Sequence, residues 1–218
     1  MASSRLFKEI LDDMNKTITE LRSRELLREE RGIFQRCCGK DLYEISYPNK
    51  NDTGGIIFDK HVTSTKIIDT LLAGQQYTIL LYDKSFIQAE YIIQGNKVIK
   101  ERLVFMKKHN KIWETKEIDE YESLEEDWFA EESGVPIMLR IDYAQDDHQE
   151  CDHAATHLTL SNHESCRIPI KGVVTFSEFI RFVMFHFYNI KLDLHTCYLN
   201  LGDTITELEK KMIHINWI

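Results

Sequence analysis

The chain has 218 residues, 43% of them hydrophobic and 29% charged, with a formal net charge of −9. That is one domain's length with enough apolar material for a core, which excludes a disordered chain and two full domains. No apolar run approaches the roughly 20 residues of a membrane span; the longest, around Phe176 to Tyr188, is broken by Glu178, Arg181 and His186. No signal-peptide pattern follows Met1, and five cysteines without regular spacing read as reduced thiols, so a cytoplasmic protein off the membrane is expected. The vicinal Cys37-Cys38 pair has no local His or Asn and is expected to be buried rather than catalytic.

The negative charge is local. Residues 117–132 hold nine acids and no Lys or Arg, and without them acids and bases balance at 27 each. An acidic total of this kind leaves room for a local anion pocket but argues against a broad DNA-binding surface.

In chain order, Leu6, Phe7, Ile10, Leu11, Met14, Ile18 and Leu21 form one apolar stripe, so residues 5–31 are expected to be a helix capped by Ser4 and ended by Gly32. Residues 1–35 are set apart as an N-terminal helix or arm, and 36–218 as one α+β domain. Leu42 to Tyr47 reads as a strand stopped by Pro48-Asn49, Ile56 to Phe58 as a short strand, and 64–73 as a helix ended by Gly74. Tyr77 to Asp83, Phe86 to Gln94 and Lys97 to Met106 form an antiparallel meander with short turns. Its last strand and exit carry a basic strip including Lys100, Arg102 and Lys107, which reads as a solvated face. The acidic segment has Ile118, Tyr121, Leu124 and Trp128 at helical spacing, which predicts an amphipathic helix. Residues 135–142 and 156–160 alternate with period two, and 167–170 is extended. Capping boxes at Thr175-Phe176-Ser177-Glu178 and Thr204-Ile205-Thr206-Glu207 open an aromatic helix and a C-terminal helix. The expected fold is α+β: an antiparallel sheet, meander plus C-terminal hairpin, flanked by helices.

Chemistry concentrates between residues 140 and 188. If 135–142 and 156–160 are hairpin partners, Arg140, Asp142, His157 and Thr159 share one face. Arg167 extends that face, His153 approaches from the loop, and His186 and Tyr188 back it from the end of the aromatic helix. A neutral His can take a proton from a 2′-hydroxyl, a second can protonate the leaving oxygen, and Arg can neutralise a phosphate. Asp142 would orient a His, as the third member of a triad does. A polar, solvated strand face is the ordinary alternative. So is zinc, because His153-Ala154-Ala155-Thr156-His157 is an H-x-x-x-H. On a straight strand, though, the two rings stand about 13 Å apart, too far for one ion unless the chain bends at Ala155. No cofactor motif occurs, so no metal or cofactor is expected.

The order Arg140-Ile141-Asp142-Tyr143, His153-x-x-x-His157-Leu158, Arg167-Ile168-Pro169 and His186-Phe187-Tyr188 resembles an uncharacterised bacterial domain-of-unknown-function family. That family has an R-x-D-Y strand, an H-P-x-x-H-L strand, an R-I-P turn and a helix ending in H-F-Y. Ala154 departs from its Pro, and Thr159 from a frequent His. More distantly, the plan is similar to TumE-type toxins of toxin–antitoxin pairs, regarded as RNA-targeting. The resemblance implies a small ribonuclease-like toxin or phage-defence protein, metal-independent, with RNA as substrate. His157 and His153 would be acid and base, Asp142 the orienter, and Arg140 and Arg167 the phosphate binders. Thr159, His186 and Tyr188 would support them. The alternative is a non-catalytic subunit of a bacterial defence or regulatory complex, docking a partner from the same operon through the acidic segment and the N-terminal helix.

Overall fold

The computed structural model describes residues 4–50, 56, 59, 61–108, 135–161, 166–194, 199 and 201–216. Their elements are α1 (Arg5–Ser23), β1 (Leu27–Glu30), β2 (Phe34–Gly39), β3 (Leu42–Ser46), α2 (Ser64–Ala73), β4 (Ile79–Leu81), β5 (Phe86–Gln94), β6 (Lys97–Lys107), β7 (Ile137–Ala144), β8 (Thr156–Leu160), β9 (Ile168–Pro169) and α3 (Phe176–Tyr188). The strands make one nine-stranded antiparallel sheet in the order β1-β4-β5-β6-β7-β8-β9, with β3 also on β5 and β2 on β3. The fold class is the α+β arrangement read from the sequence. The acidic segment 117–132 and residues 57–58 lie outside the described residues.

One edge of β5 is divided between two partners. Its first residues, Phe86 and Ile87, pair with Leu80 and Ile79 of β4, and its last, Tyr91 to Gln94, pair with Ile45 to Leu42 of β3. The other edge runs unbroken against β6, and β6 against β7. Period two then separates two faces. Tyr91, Leu103, Phe105, Leu139, Ile141 and Leu158 face a core shared with α1 and α3. On the opposite face, Phe86, Val104, Met106 and Met138 are covered by Ile67, Ile68 and Leu71 of α2. The remainder of that second face is polar and carries the site described below.

Helix α1 starts where the Ser4 side chain accepts from the Phe7 N–H, and it buries Phe7, Ile10, Met14, Ile18 and Leu21. It ends earlier than its charge pattern predicts. Glu25 has φ of 57°, a left-handed residue that no helix interior accommodates. The chain then reverses, and Leu27–Glu30 alternates in burial as strand β1. The segment 5–30 therefore supplies a core helix and a sheet strand. Strand β2 escapes the sequence pattern because all six of its residues are exposed. Cys37 and Cys38 lie on it, so they are exposed rather than buried. The C-terminal helix reduces to a single 3-10 turn, Glu209–Lys211. Its reciprocal cap is real but lies two residues later, between Thr206 and Glu209.

The N-terminus of α3 is held by carboxylates from three elements. The Thr175–Glu178 capping box is complete. Asp13 of α1 accepts from the Ser177 N–H at 3.0 Å, and Glu101 of β6 from the Val174 N–H at 3.2 Å. Both acids are buried, Glu101 fully, and its second oxygen has no partner. Burial pushes both carboxyls up, Glu101 well above the ordinary range, against the lowering effect of these N–H groups. A raised folded pKa means stability fully present below the unfolded value and lost as pH rises through the folded one. The Glu101→Gln variant is therefore expected to gain on the wild type as pH rises above about 4.3, by at most about 1.4 kcal/mol per pH unit. Thermal melts of both proteins across pH check this; a difference independent of pH would contradict it.

Gly172 and Asp203 form an isolated antiparallel bridge that closes the C-terminal segment on the stretch between β9 and α3. A Cβ on Gly172 would lie 2.3 Å from the Gly202 carbonyl oxygen. Gly172→Ala is expected to cost about 1–3 kcal/mol by forcing the two backbones apart. Gly39→Ala, with nothing within 4 Å of its added methyl, serves as the control melt.

Candidate functional site

The polar half of the second face is built by register. β6 places Arg102 opposite Asp142, and β7 places Asp142 opposite His157 and Arg140 opposite Thr159. Antiparallel partners directly opposite share a face, so Arg102, Arg140, Asp142, His157 and Thr159 stand together, as the hairpin reading requires. The Arg102 Nε donates to Asp142 Oδ1 at 2.7 Å, and the Arg140 Nε to Oδ2 at 2.5 Å. One carboxylate thus spaces two guanidiniums. Burial works against its charge, but Arg102 and then Arg140 outweigh it and hold the carboxyl below the ordinary range.

Asp142 does not orient His157 through a hydrogen bond, because its oxygens face the arginines. The orienting group is the backbone carbonyl of Ala154, 2.9 Å from His157 Nδ1. A carbonyl only accepts, so Nδ1 carries the proton and the neutral ring presents a basic Nε2. Burial lowers the His157 pKa, opposed by the Ala154 carbonyl and Asp142 and reinforced by His153 and Arg167. His153 is lowered for the same leading reason, with Arg167 next.

The two histidines are not 13 Å apart. Their ring centroids lie 4.8 Å from one another, edge to face. The chain is not straight between them: His153 bridges back to Gln149, and β8 begins only at Thr156. The loop that carries His153 is pinned from the far side by the buried Glu209. Its Oε1 meets His148 Nε2 at 3.1 Å and accepts from the Cys151 N–H at 3.4 Å. His157 is nearly buried, with 5% of its surface exposed, whereas His153 and Arg167 are half-buried and open toward solvent. Among the described residues, no group of three His, Cys, Asp or Glu side chains is arranged to hold a metal ion.

The same face continues toward β3. Glu90 is buried between Lys50, at 2.6 Å, and Lys100, at 3.7 Å, and Lys50 also reaches Glu44 at 2.8 Å. The sequence pattern does not point to this second carboxylate between cations, and it reads Lys100, Arg102 and Lys107 as a solvated strip, whereas Arg102 and Lys107 are largely covered and all three face carboxylates. The available signal was the meander itself, since pairing its third strand with 135–142 puts Arg102 beside Asp142.

His186 and Tyr188 do not join this face. Tyr188 meets Phe105, three residues and hence one sheet face away from Arg102. Its hydroxyl donates to Asp83 Oδ2 at 2.8 Å, Ser85 Oγ donates to Asp83 Oδ1 at 2.5 Å, and the Lys107 ammonium lies 3.0 Å from Asp83 and 4.4 Å from the Tyr188 ring centroid. Helix α3 packs on the apolar side as its pattern demands, and this buried network ties down its end. His186 turns outward against Phe182 and Phe185.

Fold and site together define an α+β protein whose sheet is apolar on one face and carries an Arg-Asp-Arg clamp beside a histidine pair on the other. The chain belongs to the uncharacterised conserved family DUF2290, which matches residues 27–217. No curated protein and no solved structure matches it significantly. Among the described residues, no helix is long and apolar enough to cross a membrane.

Proposed function

We propose that this family member is a ribonuclease-like protein, acting without a metal on RNA phosphodiesters as a toxin or phage-defence component. The observation that carries the reading is the His157 ring. Its Nδ1 is fixed by the Ala154 carbonyl, its Nε2 is basic, and it lies beside a second histidine and a pair of arginines spaced by Asp142. In this reading His157 Nε2 takes the 2′-hydroxyl proton. The O2′–P bond forms and the P–O5′ bond breaks. Protonated His153 gives its proton to the departing O5′, leaving a 2′,3′-cyclic phosphate and a 5′-hydroxyl. Arg140 and Arg167 neutralise the phosphate, Thr159 flanks them, and Asp142 spaces the guanidiniums. Substrate enters past His153, the more exposed ring. The distant resemblance to TumE-type toxins points the same way.

Expression of the wild type should arrest growth and yield RNA fragments with cyclic phosphate ends. His157→Ala should reduce cleavage by about 10²–10⁴-fold. Intact RNA in both cultures would remove the proposal. The productive state needs one neutral and one protonated histidine, and both are held below 6.5. The pH profile of kcat/KM should therefore be bell-shaped, with its maximum on the acid side of that value. A second reading, a binding subunit with a partner from the same operon, draws on β2, whose six exposed residues form an open sheet edge. The apolar stripe of α1 is not available to such a partner, being buried in the core.

A further inference from the structure

The outward side of α3 forms one wall of a cavity of about 510 Å³, on the side of the sheet away from the histidine pair. Lys191, Leu192, Ile215 and Asn216 complete its described lining. That volume falls in the range of small-molecule sites, roughly 300–1,000 Å³. The α3 wall is aromatic. The Phe182 and His186 ring centroids lie 4.7 Å apart, and those of Phe185 and His186 4.9 Å apart. Phe185 is 42% exposed, an unusual position for a phenylalanine on a helix whose other face is fully packed. Arg181 and Lys191 add two cations to the lining, and the Arg181 guanidinium is steadied by the Leu194 carbonyl at 3.4 Å. Among the described lining residues the one acid, Glu178, is committed to the Thr175 cap.

We propose that this pocket binds a nucleotide, with its base against Phe182, Phe185 and His186 and its phosphate at Arg181 and Lys191. A flat apolar ring with an anionic tail is the ligand chemistry that this combination of aromatic wall and cations complements. The Asn216 side-chain amide supplies a donor and an acceptor for a base edge. Such a pocket gives the protein a nucleotide contact separate from the histidine pair, whatever that pair does. The nucleotide is either free or a unit of an RNA strand, and competition separates the two.

The test is calorimetric titration of the whole chain with AMP, CMP, GMP and UMP, with adenosine and ribose 5-phosphate as incomplete ligands. At least one nucleotide should bind saturably, and both incomplete ligands about tenfold or more weaker. Phe185→Ala, an exposed position whose fold is checked by circular dichroism, should weaken nucleotide binding about tenfold. Lys191→Gln should weaken it and flatten its salt dependence. His157→Ala should bind as the wild type does, which separates this site from the proposed cleavage site. Competition by a short single-stranded RNA assigns the ligand to an RNA strand, and its absence assigns it to the free nucleotide. No saturation at millimolar nucleotide, or unchanged binding by a folded Phe185→Ala protein, overturns the proposal.

Discussion

Asp142→Ala should lower the unfolding free energy by about 2–4 kcal/mol. The carboxylate is the group shared by Arg102 and Arg140, and its removal leaves two like charges facing each other in a half-buried setting. The loss should be specific to charge. A second change, Arg102→Met, relieves the repulsion, so the double variant should recover part of what the single one loses. Additive losses in the melts of the two single variants and the double would show that Asp142 contributes by packing alone. The paired state is present above the unfolded aspartate pKa and is lost as pH falls through the depressed folded value. The gap between wild type and Asp142→Ala should therefore close in acid.

The other large effect is expected on the opposite face. Asp83 is 1% exposed and is the common acceptor for the Ser85 N–H, the Ser85 hydroxyl and the Tyr188 hydroxyl, with Lys107 as its ion-pair partner. Asp83→Ala should cost about 3–5 kcal/mol, a drop of about 6–20 °C in Tm for a chain of this size. Tyr188→Phe removes only one of these hydrogen bonds and should cost about 1–2 kcal/mol. Equal losses from both variants would show that the tyrosine, not the aspartate, organises the network. Amide exchange at the end of α3 should accelerate in Asp83→Ala more than in the centre of β6.

The elements that were legible in the sequence are those whose own residues state their environment. β5, β6, β8 and α2 fall where alternation, helical spacing and turn residues place them, and Thr175 starts α3 because its capping box is local. The pairing of β7 with β8 agrees with the hairpin that the two alternating segments suggest, although the loop between Ala144 and Thr156 is too long to dictate it. What failed depended on distant neighbours. Leu27-Arg28-Glu29-Glu30 looks helical by charge and becomes a strand because Leu80 and Leu81 of β4 lie beside it. Strand β2 buries nothing and so leaves no pattern. The end of the aromatic helix predicts Tyr188 behind the histidines, but its partner Asp83 lies 105 residues away. In the site, period two puts Asp142 and His157 on one face once the hairpin is assumed, but the loop between the strands fixes no register, and their direct opposition is a finding of the structure. The carbonyl that fixes His157 and the bend that brings His153 to it were not legible, because both depend on backbone geometry between Ala154 and Thr156.

The hydrogen bond from the Ser177 N–H to Asp13 spans 164 residues, and this distance has a consequence for biosynthesis. Helix α1 is synthesised with its apolar stripe complete well before α3, whose residues share its core. At about 5–20 residues per second, the stripe lacks its α3 partners for roughly 8–30 s. The β4–β6 meander can assemble within that interval from neighbouring segments, whereas the α1–α3 contact has to wait for the later helix. Nascent chains that stall before Phe176 carry Ile10, Met14 and Ile18 without the α3 side of their core, and these are the species a chaperone would have to hold.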